Sequence, residues 1–254
     1  MAENTTPTVF DQLVDAYDLL IDWPKRLANE EPFYRKLFTE TGVQRVLDAA
    51  CGTGHHAAMF HRWGLAVEGA DLSPAMIARC RERFGEEEGL RWTVRSFEEL
   101  RGPPGRFDAL VCVGNSLALV ADLAAVMRAV ASMIAALRPG GVGVLQVLNL
   151  WRVHEGPTLW QKCEEIQSNE GRRVLLKGLH RVGSRGYIDL VDLRMGPGGL
   201  VKRVDAPIFM GIEAENLSAA VRSDGGHDLR LYGSYQEAPY DREKSADLIC
   251  VFWV

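Results

Sequence analysis

Three short segments set hydrogen-bonding groups where an apolar run gives way to a turn. The first is Val46-Leu47-Asp48-Ala49-Ala50-Cys51-Gly52-Thr53-Gly54, a buried-looking run followed by a glycine-rich turn that opens a helix. Gly52 and Gly54 can take left-handed backbone conformations and let a ligand come close to the main chain. The second is Asp71, 17 residues after Gly54. A carboxylate there can accept hydrogen bonds from both hydroxyls of a ribose, and it also suits capping of the helix that starts near Ser73-Pro74. The third is Gly114-Asn115-Ser116, after the apolar run Phe107–Val113. Asn115 can donate and accept at once, and a turn with a helix cap is the plainer use of the same residues.

These groups need elements to hold them. Apolar runs at Gln44–Ala50, Leu65–Ala70, Leu90–Arg95, Phe107–Val113 and Val142–Leu148 read as five strands. Helical patterns at His55–Trp63, Pro74–Phe84 and Ala121–Leu137 separate them, the last ended by Arg138-Pro139-Gly140-Gly141. Phe107–Val113 shows no alternation, as a strand covered on both faces requires. Strands alternating with helices predict a doubly wound α/β sheet with right-handed crossovers, whose ligands bind at the carboxyl ends of the strands. Residues 8–41 read as helices broken at Trp23-Pro24, with Val9, Leu13, Tyr17 and Leu20 at helical spacing. After residue 150 the pattern changes. Segments 172–181, 186–195 and 200–211 read as three strands, punctuated by Gly183, Gly186, Pro197, Gly198 and Gly199. Residues 155–211 are thus an antiparallel β insertion after the fifth strand, within one domain spanning 1–254. A helix (Glu213–Arg222) and two strands (Asp228–Tyr235, Asp247–Val254) close the chain as a hairpin that completes a seven-stranded, mostly parallel sheet.

Two adenosine-bearing cofactors fit the loop and Asp71. Gly52, Gly54 and Ala57 satisfy G-x-G-x-x-G/A, the pattern of a dinucleotide site whose helix start holds a pyrophosphate. The same loop can hold the methionine part of S-adenosyl-L-methionine, with Asp48 orienting its amino group. Both carry the ribose that Asp71 would hold.

Bulk properties narrow the class. The 254 residues carry a net charge of −5, with no Lys/Arg run, which disfavours a nucleic-acid partner. Cys51, Cys80, Cys112, Cys163 and Cys250 include no CxxC pair, so neither a disulfide framework nor a metal site is expected. The polar start Met1–Pro7 and the lack of an 18-residue apolar run predict no signal peptide and no membrane span, hence a cytoplasmic protein. His55-His56 resembles a metal pair only superficially, because adjacent helical residues point apart. Glu86-Glu87-Glu88 reads as a solvated loop.

Taken together, the motifs resemble class I S-adenosylmethionine-dependent methyltransferases, specifically the glycine N-methyltransferase-like small-molecule branch. QRVLDAACGTG (44–54) is similar to that family's cofactor loop, and FDALVCVGNSL (107–117) to its fourth-strand motif. Met133–Gly141, with RPGG at 138–141, resembles its turn into the fifth strand, and QVLN (146–149) the end of that strand. YDLLIDWPKRL (17–27) resembles an N-terminal segment that folds over the cofactor, and YGSYQEAPYD (232–241) the turn of the closing hairpin. The resemblance implies that Tyr17, Trp23 and Arg26 contact the cofactor, Arg26 through its carboxylate. Asp48, Ala50, Gly52 and Gly54 would line the methionine part, and Asp71 would hold the ribose. Leu72, Met76, Ser96 and Phe97 would surround the adenine, and Val113 and Gly114 would lie near the sulfonium. One departure stands out: Leu119 occupies a position where glycine N-methyltransferases carry a histidine.

The reaction expected is in-line displacement at the methyl group, yielding S-adenosyl-L-homocysteine, with a small-molecule acceptor. An amine is favoured, since a hydroxyl would need a general base. Asn115, Gln146 and Asn149 are candidates for the acceptor pocket, joined by Arg152, His154 and Tyr187 near or in the insertion. The competing readings are a nicotinamide-dependent oxidoreductase, a non-catalytic cofactor-binding protein and a macromolecular methyltransferase. A homo-oligomer is compatible with all of them.

Overall fold

The computed structural model describes residues 14–100, 105–168, 171–197, 199–205 and 207–254. Val9, Leu13 and Gly198 lie outside the described residues. The chain opens with helices α1 (Val14–Leu20) and α2 (Trp23–Thr41), broken where the sequence predicts. The Asp22 carboxylate accepts from the Lys25 N–H at 3.1 Å, and Pro24 sits in the first turn of α2, where its missing N–H costs nothing. Gly42 ends α2 at φ 63°, a left-handed cap.

Strands and helices then alternate: β1 (Arg45–Ala49), α3 (His55–Arg62), β2 (Ala66–Asp71), α4 (Pro74–Phe84), β3 (Leu90–Val94), β4 (Phe107–Cys112), α5 (Leu123–Ala136) and β5 (Leu137–Leu148). The insertion holds β6 (Leu159–Ser168), β7 (Gly171–Val182), β8 (Arg185–Gly196), β9 (Gly199–Asp205) and β10 (Ile208–Met210). Helix α6 (Ala214–Ser223) and strands β11 (His227–Tyr232) and β12 (Asp247–Trp253) follow.

The main sheet has the order β11-β12-β5-β4-β1-β2-β3. β3, β2, β1, β4 and β5 run parallel, and β12 enters antiparallel between β5 and β11. This is a class I methyltransferase fold. It differs from the uniform 3-2-1-4-5-6 order of a dinucleotide-binding domain, and so corrects the oxidoreductase alternative at the level of architecture.

The two faces of the sheet bury alternate residues. Leu47, Leu110, Leu145 and Cys250 pack with α5 and α6, whereas Val46, Val111, Val144 and Val251 pack with α2 and α3. Covering on both sides explains why β4 is buried at every position.

The sequence reading of the insertion needs correction. Five strands stand where three were expected, and β6 went unread. Its half-polar sequence shifts register between Trp160 and Lys162, so it lacks a period of two. β5 begins at Leu137 rather than Val142 because the chain stays paired through the Arg138–Gly141 bulge, Val254 N–H donating to Gly141 O. β11 ends at Tyr232, three residues early, and Tyr235 turns into the interior. Leu179, Phe209 and Met210 join the main core beside Leu150, which fixes the second sheet onto the first. Among the described residues, no helix is long and apolar enough to cross a membrane.

Candidate functional site

The carboxyl ends of β1, β2, β4 and β5 meet on one edge of the sheet. After β1, three residues adopt left-handed backbone: Ala50 (φ 59°), Gly52 (φ 56°) and Gly54 (φ 82°). Ala50 is strained there, since its Cβ disfavours that region, and such strain concentrates at functional loops. Asp71 holds the loop in shape. Its Oδ2 accepts from Gly52 N–H and its Oδ1 from Ser73 N–H, each at 2.9 Å. The capping role considered for Asp71 belongs to Ser73, whose Oγ accepts from Met76 N–H at 3.1 Å. Asp48 lies beneath the loop, fully buried, and accepts from Ala57 N–H at 3.1 Å. Burial pushes its carboxyl up to about 7.

The N-terminal helices close over this loop. The Tyr17 ring lies 3.7 Å from where a Gly52 Cβ would stand. Its hydroxyl and the Arg26 guanidinium each come within 3.8 Å of the equivalent point at Gly114. One segment therefore touches the turns after β1 and β4 together. Two polar clusters anchor it. Asp18 accepts from Thr53 Oγ1 (2.7 Å) and Trp23 Nε1 (3.2 Å) and pairs with Arg83 (2.7 Å). Burial opposes ionisation, but hydrogen bonds from His55, Thr53 and Arg83 hold the Asp18 carboxyl well below the usual range. Glu30, buried, accepts from Arg26 Nε at 2.8 Å and meets His56 Nε2 at 2.6 Å, which aims the guanidinium. Burial pushes the His56 pKa down, against the pull of the Glu30 carboxylate. Trp23 stacks on His55 with centroids 4.1 Å apart. The two histidines thus have separate partners. Among the described residues, no group of three or more metal-ligating side chains is placed to hold a metal ion.

Beyond Asp71, Leu72 presents an apolar side chain that is 54% exposed, while Met76 beneath it is buried. Ser96 N–H is bound by Glu99 at 2.7 Å, and Phe97 leans half-buried on the core. Leu72 follows the carboxyl end of β2, Ser96 and Phe97 follow that of β3, and Met76 lies in the first turn of α4. Val113 is buried at the end of β4.

On the far side, Gly114 N–H donates to Gln146 Oε1 at 2.7 Å, and Gln146 Nε2 donates to Asp247 Oδ1 at 2.7 Å. Asn115, left-handed at φ 69°, accepts from Leu148 N–H at 3.0 Å. Two acceptor-pocket candidates are corrected. Asn149 is buried and consumed within the chain: its amide donates to the Arg242 and Ser245 carbonyls at 2.8 Å each, and its Oδ1 accepts from Tyr240 OH. It fastens the loop before β12. Tyr187 points away, because its neighbours Gly186 and Ile188 take the inward positions of β8; it stacks on His180 at 4.7 Å instead. Arg152 and His154 are exposed at the entrance to the insertion.

Sequence reasoning missed Asp247, Tyr235 and Glu30. Asp247 starts β12 opposite Leu148, so the last strand brings a carboxylate to the end of the fifth. Burial raises its pKa. Tyr235 is buried with no partner for its hydroxyl among the described residues. No local pattern marks these residues; the pairing of β12 with β5 places Asp247, and the packing of α2 on α3 places Glu30. A separate cleft lined by Arg45, Glu68, Arg91 and Arg106 sits at the amino ends of the strands, away from this chemistry.

Comparison with known proteins bears on the same edge. Residues 46–141 match the family described as "Methyltransferase domain". The glycine/sarcosine N-methyltransferase of Parasynechococcus marenigrum (strain WH8102) is 35% identical over 148 residues, 58% of this chain and 52% of that protein. The glycine N-methyltransferase of Homo sapiens is 30% identical over 146 residues, 50% of this chain and 48% of that protein. The chain thus spans about half the length of the curated relatives it matches. Among solved structures, a sugar N-methyltransferase from Streptoalloteichus sp ATCC 53650 aligns with TM-score 0.78 and 22% identity over 100% of this chain and 95% of that one. An amino pentose methyltransferase from Micromonospora echinaspora, bound to S-adenosylmethionine, aligns at 0.72 and 22% over the whole of both chains. Residues 46–141 thus match a methyltransferase domain, and the sheet around them has the strand order of the class I methyltransferase fold.

Proposed function

We propose that this protein transfers the methyl group of S-adenosylmethionine to an amine nitrogen of a small molecule. The observation that carries the reading is the bridging of the β1 and β4 turns by Tyr17 and Arg26, directly above the Gly114–Gln146–Asp247 chain. Such a bridge would cover a slot with the cofactor cradle at one end and the Asp247 carboxylate at the other. The names of the relatives, N-methyltransferases of glycine and of sugars, support nitrogen over oxygen.

The cradle fits the cofactor chemically. Asp71 would hold the ribose hydroxyls, Leu72 and Phe97 the adenine, Asp48 the ammonium and Arg26 the carboxylate of the methionine part. Bound there, S-adenosylmethionine supplies a methyl group on a cationic sulfur, a neutral leaving group once the bond breaks. The protein's work is then alignment and exclusion of water, an effect worth up to ~7–11 kcal/mol in favourable cases. The acceptor nitrogen uses its lone pair to form the new N–C bond as the C–S pair returns to sulfur. Asp247, with one oxygen on Gln146 and its pKa raised by burial, takes the proton that the nitrogen sheds.

Calorimetric titration with S-adenosylmethionine, S-adenosylhomocysteine and NADH, followed by methyl-transfer assays on small amines, tests this. Micromolar binding of the adenosyl pair and turnover on an amine are expected. Binding without turnover on any amine or hydroxyl acceptor would favour a non-catalytic role.

A further inference from the structure

β7 lays its odd-numbered residues against the body of the protein. Leu175 is buried with Leu20 of α1, Ile166 and Leu190, and Leu179 is buried in the main core. Lys177 lies between them on the same face, two residues from each, as the pleat requires. It therefore lies on the face of β7 that packs toward α1, among leucines. Its cross-strand neighbours are Lys162 on β6 and Leu190 on β8. Lys162 is satisfied, since its Nζ donates to Leu19 O at 3.2 Å and pairs with Glu164 at 3.3 Å. Among the described residues, no carboxylate or carbonyl pairs with Lys177. Its ammonium is near enough to Arg26 and Lys162 to feel both charges. Burial, with those two cations, pushes its pKa down. A half-buried cation beside two others is unfavourable unless an anion joins it.

We propose that Lys177 is a specificity-determining residue that reaches from the insertion to bind an anionic group, carboxylate or phosphate, on the methyl acceptor. The inference rests on the reading of this edge as an acceptor site. Arg26 does not compete for that group, because Glu30 and the cofactor's carboxylate would engage it. The acceptor would then be a small amine that carries its own negative charge, with the amine directed to Asp247 and the anion to the second sheet.

The full-length protein, saturated with S-adenosylhomocysteine, would be titrated with acetate and with inorganic pyrophosphate as separate probes. Wild type should bind at least one saturably, and the stronger probe tells carboxylate from phosphate. Lys177→Met should weaken that binding about tenfold or more, and Lys177→Arg should restore most of it. Affinity for S-adenosylhomocysteine should stay within about threefold, as expected of a residue outside the cofactor cradle. Because Lys177→Met removes an unpaired cation, its melting temperature should match or exceed wild type, so a folding defect would not mimic the result. Failure of wild type to bind either probe, unchanged binding by Lys177→Met, or a loss confined to S-adenosylhomocysteine each overturns the proposal. If wild type fails to bind S-adenosylhomocysteine, the methyltransferase reading falls separately. The anion arm is then repeated on the ligand-free protein, where the same dependence on Lys177 is required.

Discussion

In the proposed site, Asp48 would link burial to cofactor chemistry. Burial holds its carboxyl at about 7, so near neutral pH it is partly protonated. An ammonium set beside it favours the anion, and binding must expel the proton. Affinity for S-adenosylhomocysteine should therefore fall by about tenfold per pH unit below 7 and level off above it. Calorimetry at pH 6 in buffers of different ionisation enthalpy should show about one proton released, and almost none at pH 8.5. The stability effect has the opposite slope. Between the ordinary carboxylate value and 7, the folded state holds a proton that the unfolded chain has lost. This group's contribution thus declines as pH rises through that window and is flat above it. Asp71 acts by geometry instead. Asp71→Ala removes acceptors for two main-chain N–H groups as well as for the ribose, and hydrogen bonds to charged groups are worth about 1.5–3 kcal/mol. Cofactor affinity should drop at least tenfold, and an equilibrium titration showing no change would remove Asp71 from the site.

At the scale of elements, the junction of β1 and α3 depends on Gly54. A Cβ there would lie 2.7 Å from the Trp92 ring and 2.9 Å from Cys80 Sγ, on backbone at φ 82°. Gly54→Ala should cost about 1–3 kcal/mol, from strain and overpacking combined. A melt followed by circular dichroism should show the loss. Retention of the wild-type melting temperature would mean that α3 can shift away from β3. Buried Glu30 is an element-level brace, since it joins Arg26 of α2 to His56 of α3. Glu30→Gln should lower cofactor affinity more than it lowers stability, because the guanidinium stays but loses its aim. An equal fall in both would make the brace purely structural.

For the molecule as a whole, a cofactor bound in the proposed cradle would tie α1 and α2 to the two turns that they already touch. At a concentration of ligand about 100 times Kd, S-adenosylhomocysteine should stabilise the fold by ~2.7 kcal/mol. For a chain of this size that is a rise of roughly 5–10 °C in melting temperature. NADH at the same concentration should produce none. A shift with NADH alone would restore the dinucleotide reading despite the antiparallel β12.

The main sheet was legible in the sequence because its order of apolar runs and helical periods is local. A strand covered on both faces must be apolar throughout, as Phe107–Cys112 is, and a tight turn onto a helix must use glycine, as Gly52 and Gly54 do. These constraints predicted the five parallel strands and the antiparallel closure of the sheet. Resemblance to a known family carried the cofactor reading further than spacing alone could. Other features waited on tertiary structure. β6 is half polar and shifts register, so its pairing with β7 leaves no period to read. Asn149 looked free in sequence, but the carbonyls of Arg242 and Ser245, over 90 residues away, fill its amide. Tyr187 lies within the insertion as expected, yet the pleat turns it outward. Asp247 comes to the end of β5 by the pairing of β12 with a strand far away in the sequence. Local sequence specifies which residues a strand contains, whereas long-range register decides which side chains share a pocket.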